Sequence, residues 1–198
     1  MGDRGRPDLS LAVEAGDGAL TLEERAEVWI EPYWNAEHLR RTRDWLLELE
    51  PNASEALRLA ALTHDMERHF PEGSPEQNLA APPEGDMEYR RLHSERSAAI
   101  VGDWLRGEGA EEELVAEVER LIRAHEVGGA QDEDLIHAAD SISFIETNVD
   151  LPARWAAEGK CPFERGIDQH RWMYERIRVP RARELARPLY ERILSLAA

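Results

Sequence analysis

The stretch "LAALTHDMERHF", residues 59–70, decides how this chain reads. An apolar run closes on His64 and Asp65, two polar side chains set next to each other. Burying a neutral polar group without a partner costs on the order of 2–7 kcal/mol, and a charge costs more. His64 and Asp65 therefore need partners inside the fold, and the flanking sequence is organised to supply them.

Upstream, Ser54 is a good N-cap for the buried helix "EALRLAALTHD". Thr21 with Glu24 forms a capping box that starts a first helix, which Pro32 breaks. In "NAEHLRRTRDWLLELE", Trp34, His38, Thr42, Trp45 and Leu49 recur at helical spacing, which puts His38 on the apolar stripe. Pro51 ends that helix. Downstream, "FPEGSPEQNLAAPPEGD" (70–86) is a Pro- and Gly-rich loop, long enough to cover a pocket. A helix from about Met87 to Arg106 follows, with Tyr89, His93, Ser97, Ile100 and Trp104 on its stripe. The next helix, Glu111 to His125, carries Leu114, Val118, Leu121, Ile122 and His125 on one face and stops at "VGGAQ". In a sixth helix, about Asp132 to Thr147, Ile136, Asp140 and Ser143 share a face. The tail from Pro152 is helical too, with breaks at Pro162 and Pro180. No stretch shows the period-2 alternation of a strand. The expected architecture is an all-α, single-domain helical bundle: a leader at 1–18, a metal-binding helical domain at 19–150, and a helical extension at 151–198 packed on that domain.

Four of the seven histidines, His38, His64, His93 and His125, lie on or at the end of apolar helix faces, as do Asp65 and Asp140. One buried histidine is ordinarily a core residue hydrogen-bonded to a carbonyl. Six such residues on five helices must all find partners inside, and a shared cation satisfies them together. Imidazole and carboxylate donors suit Fe, Mn, Zn or Ni, and a set without cysteine is not that of a closed structural zinc site.

The ordered set, His38 in "EHLRRT", His64-Asp65 in "AALTHD" and Asp140 in "HAADSI", resembles the HD-domain superfamily of helical, metal-dependent phosphohydrolases. His93 and His125, the latter in "RAHEVGG", stand where the binuclear branch has two further histidines. The likeness spans residues 33–147. It implies one or two divalent transition-metal ions: the first on His38, His64, Asp65 and Asp140, the second on His93 and His125 with Asp65 bridging. It also implies a metal-activated hydroxide that attacks a phosphoryl group, with geometry and electrostatics carrying the reaction. Asp65 and Arg68, three residues apart, are the expected catalytic pair. Arg68 and, one turn past His93, Arg96 are the expected anion contacts, since a guanidinium fork matches phosphate oxygens. Glu67 stands where such sequences commonly have a small residue, and no "GYP" follows the late histidine as in the cyclic-dinucleotide phosphodiesterases. The same six ligands also serve di-iron oxygenases of this type, and a metal-stabilised sensing module needs no turnover, so three readings stay open on the ligands alone.

Several residues have a second reading as surface or core groups. Glu126 could orient a ligand or be a helix-end charge, and His137, one turn before Asp140, could support the site from behind. His69 borders the loop; Lys160, Arg123 and Arg171 read as surface cations. "QHRWMYERI" reads as a tail helix packing Trp172 and Ile177.

Acidic residues outnumber basic ones 41 to 24, for a formal charge of −17, which argues against a nucleic-acid polymer as partner. A small anionic substrate remains compatible, because a bound cation reverses the local field. The single cysteine, Cys161, permits no internal disulfide and suits a reducing cytoplasm. No segment has the roughly 20 apolar residues of a membrane span, and no membrane partner is expected.

Overall fold

The computed structural model describes residues 20–70 and 87–196. The expected leader, 1–18, and the 70–86 loop apart from Phe70 lie outside the described residues.

The regular elements among the described residues are all helices: α1 (Leu22–Ile30), α2 (Ala36–Leu49), α3 (Glu55–Thr63), a 3-10 turn (Met66–His69), α4 (Met87–Gly107), α5 (Glu112–Ala124), α6 (Gln131–Thr147), α7 (Leu151–Ala157), α8 (Phe163–Glu175) and α9 (Pro180–Ser195). They form an all-α domain. No helix among them is long and apolar enough to cross a membrane.

The expected caps are in place. Thr21 Oγ1 accepts from the Glu24 amide at 3.2 Å while the Glu24 carboxylate accepts from the Thr21 amide at 2.8 Å. Ser54 Oγ accepts from the Leu57 amide at 3.2 Å and starts α3. α5 ends into Gly128, whose φ of +67° is a conformation glycine adopts without strain. Two expected boundaries differ. α2 starts at Ala36, so Trp34 precedes the helix and is 74% exposed instead of continuing its apolar stripe. α3 stops at Thr63, and His64 is its C-cap. His64 still has helical dihedrals (φ −56°, ψ −29°), and the chain leaves the helix at Asp65 (φ −108°, ψ 22°), so the two adjacent side chains reach different groups of donors.

The core has two parts. α1 to α6 enclose one apolar cluster, including Leu39, Leu46, Leu59, Leu62, Val118 and Ile122. α6, α8 and α9 enclose another, with Ile142, Ile145, Met173, Ile177 and Ile193. α6 serves both: Ile136 and Ala139 face the first cluster and Ala138, Ile142 and Ile145 the second. Asp140 lies on this shared helix. α2 is locked against α6 by Glu146, which accepts from Arg41 at 2.8 and 3.0 Å and from the Trp45 indole at 2.7 Å. α8 packs closely on α7, since a Cβ at Gly166 would meet Pro152 Cα at 2.5 Å.

Candidate metal centre

The six residues singled out from the sequence come together in neighbouring groups. The donor atoms of His38, His64 and Asp140 lie within 4.8 Å of one another, as do those of Asp65, His93 and His125, and those of His125, Glu126 and Asp140. Rings of neighbouring histidines are 4.9–5.5 Å apart, centroid to centroid, from His38 through His64 and His125 to His93. Asp65 falls in the His93–His125 group, the second of the two sites it is expected to bridge, and both its oxygens have partners. Oδ1 stands 2.8 Å from His93 Nε2 and accepts from Arg68 Nε at 3.1 Å, while Oδ2 accepts from Asn35 Nδ2 at 3.2 Å.

The histidine tautomers follow from their partners. A carbonyl only accepts, so His64 Nδ1 donates to Ala61 O at 3.0 Å and His125 Nδ1 to Ile122 O at 2.7 Å, each binding back into the helix it terminates. His93 Nδ1 donates to the Glu67 carboxylate at 2.9 Å. Ser143 Oγ donates its one proton to His38 O at 2.8 Å and so accepts from His38 Nδ1 at 2.9 Å. In the neutral imidazoles the proton is thus on Nδ1, and all four Nε2 atoms carry lone pairs.

Those lone pairs face anionic oxygens. Asp140 Oδ1 lies 3.2 Å from His38 Nε2 and 3.3 Å from His64 Nε2. His64 Nε2 and His93 Nε2 are shut off from solvent and have no hydrogen bond of acceptable geometry, although a carboxylate oxygen stands near each. A lone pair set against a carboxylate oxygen in a buried site repels unless a proton or a cation lies between them. The donor set therefore fits a divalent transition-metal ion.

The titration directions agree with crowded opposite charges. Burial pushes the Asp65 carboxyl up, but Arg68, His93 and His64 together hold it well below the usual range. Burial likewise acts on Asp140, and Arg176, His38 and His64 overcome it, holding the carboxyl well below normal. For His64 and His93 burial favours the neutral ring, yet the carboxylates beside them leave both raised in the absence of a cation. Burial drives His125 down to about 3, which keeps it a neutral donor.

A ring of ion pairs surrounds these groups. Glu67 accepts from Arg96 at 2.9 Å and from His93, Glu126 from Arg90 at 2.8 Å and from Arg176 at 2.6 Å, and Asp140 Oδ2 from Arg176. Asp65, Glu67, Glu126 and Asp140 thus face Arg68, Arg90, Arg96 and Arg176: four negative charges against four positive ones. Any divalent cation added there makes the site net positive.

A cavity of about 720 Å³ opens onto His38, His64, Asp65 and Asp140 and extends along Phe144, Trp155 and Met173 towards Lys160. Arg68 lines it, with Nη1 donating to the Tyr89 hydroxyl at 2.7 Å. Arg96, expected at the substrate, is not among the described residues lining the cavity. Glu67 takes its guanidinium, so it acts on His93 from behind. His137 also stands behind the site: Nδ1 donates to His125 O at 2.8 Å, while Nε2 lies 3.2 Å from Arg176 O. His69 is stacked on Tyr33 at 3.9 Å and hydrogen-bonded to Asn35, the residue that holds Asp65. Lys160 pairs with Glu158 at 2.8 Å, and Arg123 and Arg171 pair with surface carboxylates away from the cavity.

Sequence reading misses Arg176, Arg90, Asn35 and the role of Glu67. It assigns Trp172 to tail packing, yet Arg90 and Arg176 sit over its ring at 3.6 and 4.5 Å. The mixture of aromatic and basic residues in "QHRWMYERI" is the available signal.

Comparison with curated proteins finds no match, and comparison with solved structures finds none either. A family model matches residues 20–161, which include every proposed metal ligand, and the chain belongs to that family, described as Domain of unknown function (DUF4202).

Proposed function

We propose that this protein is a metal-dependent phosphohydrolase acting on a small phosphorylated molecule, nucleotides included. The observation that carries the reading is the convergence of four Nε2 lone pairs with Asp65 and Asp140, with His38, His64, His125 and both carboxylates lining one cavity. His38, His64 and Asp140 would hold one divalent ion, and Asp65, His93 and His125 a second. Such ions supply Lewis acidity, giving a nucleophilic water at neutral pH and neutralising phosphoryl oxygens.

The chain's own residues do the rest. The balance of four carboxylates and four guanidiniums leaves the cations' charge uncompensated, which favours an anionic ligand. Arg68, fixed by Asp65 and Tyr89, presents a guanidinium to the cavity beside the ligand groups. Asp65 and Asp140 are held ionised, so neither is a proton donor at neutral pH. Phe144, Trp155 and Met173 give the cavity an apolar wall for the organic part of the substrate. Its volume falls in the range of about 300–1,000 Å³ usual for small-molecule sites.

The test is a panel of phosphorylated compounds offered to metal-stripped and metal-reconstituted protein, under air and under nitrogen. Phosphate release that requires the added cation and is indifferent to oxygen supports the reading. Oxygen uptake with a small organic substrate, without phosphate release, replaces it with the oxygenase chemistry open to the same ligands.

A further inference from the structure

Arg176 is the C-cap of α8, and it lies beyond the segment matched by the family model. Its side chain is 7% exposed, and its three nitrogens are all engaged: Nε with Ser141 Oγ at 2.8 Å, Nη1 with Glu126 Oε2 at 2.6 Å, and Nη2 with Asp140 Oδ2. Arg90 approaches the same Glu126 oxygen at 2.8 Å, and Trp172 backs both guanidiniums.

We propose that Arg176 is a positioning residue that makes Asp140 a one-oxygen, weakened donor to the metal centre, an inference that rests on the metal-binding reading above. With Oδ2 engaged by the guanidinium, Oδ1 is the oxygen left facing His38 and His64, at 3.2 and 3.3 Å. A positive charge on the far oxygen draws electron density away from the near one, so a cation there keeps more of its acidity toward water. The same charge opposes cation binding directly, since like charges a few ångströms apart repel strongly in a buried site. Arg176 thus trades affinity for acidity. A residue that merely held the fold would do the reverse: its loss would weaken metal binding and stability together.

The two roles separate in Mn²⁺ titrations by calorimetry on the metal-stripped full-length chain. Arg176→Met is expected to bind Mn²⁺ roughly tenfold or more tightly than wild type, because a buried like charge a few ångströms from the cation is gone. Cation-dependent turnover should fall, and the rising limb of the pH–rate profile should move to higher pH. Arg176→Lys keeps a charge but cannot reach Glu126 and Asp140 together, so its affinity should fall between the other two. If circular dichroism shows Arg176→Met unfolded, Arg176→Lys decides alone: tighter binding than wild type supports the role and equal or weaker binding overturns it. Wild type that binds Mn²⁺ while a folded Arg176→Met binds no more tightly overturns this inference alone. Wild type that binds no Mn²⁺ overturns the metal reading and this inference with it.

Discussion

Asp65→Asn keeps the shape of the side chain and removes its charge. The amide oxygen of the variant can still accept from Arg68, so the loss there is the ion-pair part of a partly exposed contact, roughly 0–1 kcal/mol. The larger loss is at His93, which is fully buried and stands 2.8 Å from Asp65 Oδ1. A buried charge against its counter-charge at this distance is on the scale of a hydrogen bond to a charged group, about 1.5–3 kcal/mol, so metal-free Asp65→Asn should be less stable by about 1.5–4 kcal/mol in total. The pH dependence carries the sign. Asp65 has a lowered carboxyl pKa in the fold, so its contribution is present above the unfolded value of about 3.9 and is lost as pH falls towards the folded one. His93 has a raised pKa, so its contribution is present below about 6.5 and is lost as pH rises through the folded value. The stability gap between wild type and variant should be widest between about pH 4 and 6.5 and narrow on both sides. Urea unfolding of metal-stripped protein from acid to mildly alkaline pH measures it. A gap that is flat across that range, or absent, refutes the coupling of Asp65 to His93.

Three further outcomes follow from the same geometry. His93→Ala should lose about one equivalent of bound metal while the His38–His64–Asp140 group keeps its own, as equilibrium dialysis would register. Glu67→Gln removes the anionic acceptor of His93 Nδ1 and should weaken metal binding about 10- to 100-fold, with Arg96→Ala, which only loosens Glu67, doing less in the same titration. Arg68→Ala should cost about 1.5–3 kcal/mol in kcat/KM for a charged substrate while metal content stays as in wild type.

How much of this is legible in the sequence depends on what the residues encode locally. Helical period places His38, His93 and Asp140 on inward faces, and all three are buried there. Thr21, Glu24 and Ser54 act within one turn, so their caps are legible too. His64 and His125 are visible as residues closing apolar runs, and both are helix C-caps whose rings bond back three residues. Pairing over long sequence separation is not legible. Arg176 meets Glu126, fifty positions away, because α8 folds back over α6. The aromatic and basic mixture of "QHRWMYERI" marks the segment, but it does not say which of its arginines turns inward. Glu67 looks like a departure from the usual motif, yet its carboxylate, depressed to about 2 by His93 and the arginines against the pull of burial, is what orients His93. Trp34 shows the opposite failure: period alone carries the α2 stripe one turn too far, past the start of the helix.

The most direct measurement is the metal content of protein purified without added metal, by elemental analysis, for wild type, His64→Ala and His93→Ala. The expected result is one to two equivalents of a first-row transition metal in wild type and fewer in each variant, with chelation lowering the melting temperature of wild type. Wild-type protein that holds no stoichiometric metal, takes up none of Mn, Fe, Ni or Zn on titration, and melts at the same temperature with and without chelator would contradict the claim that these residues form a metal centre.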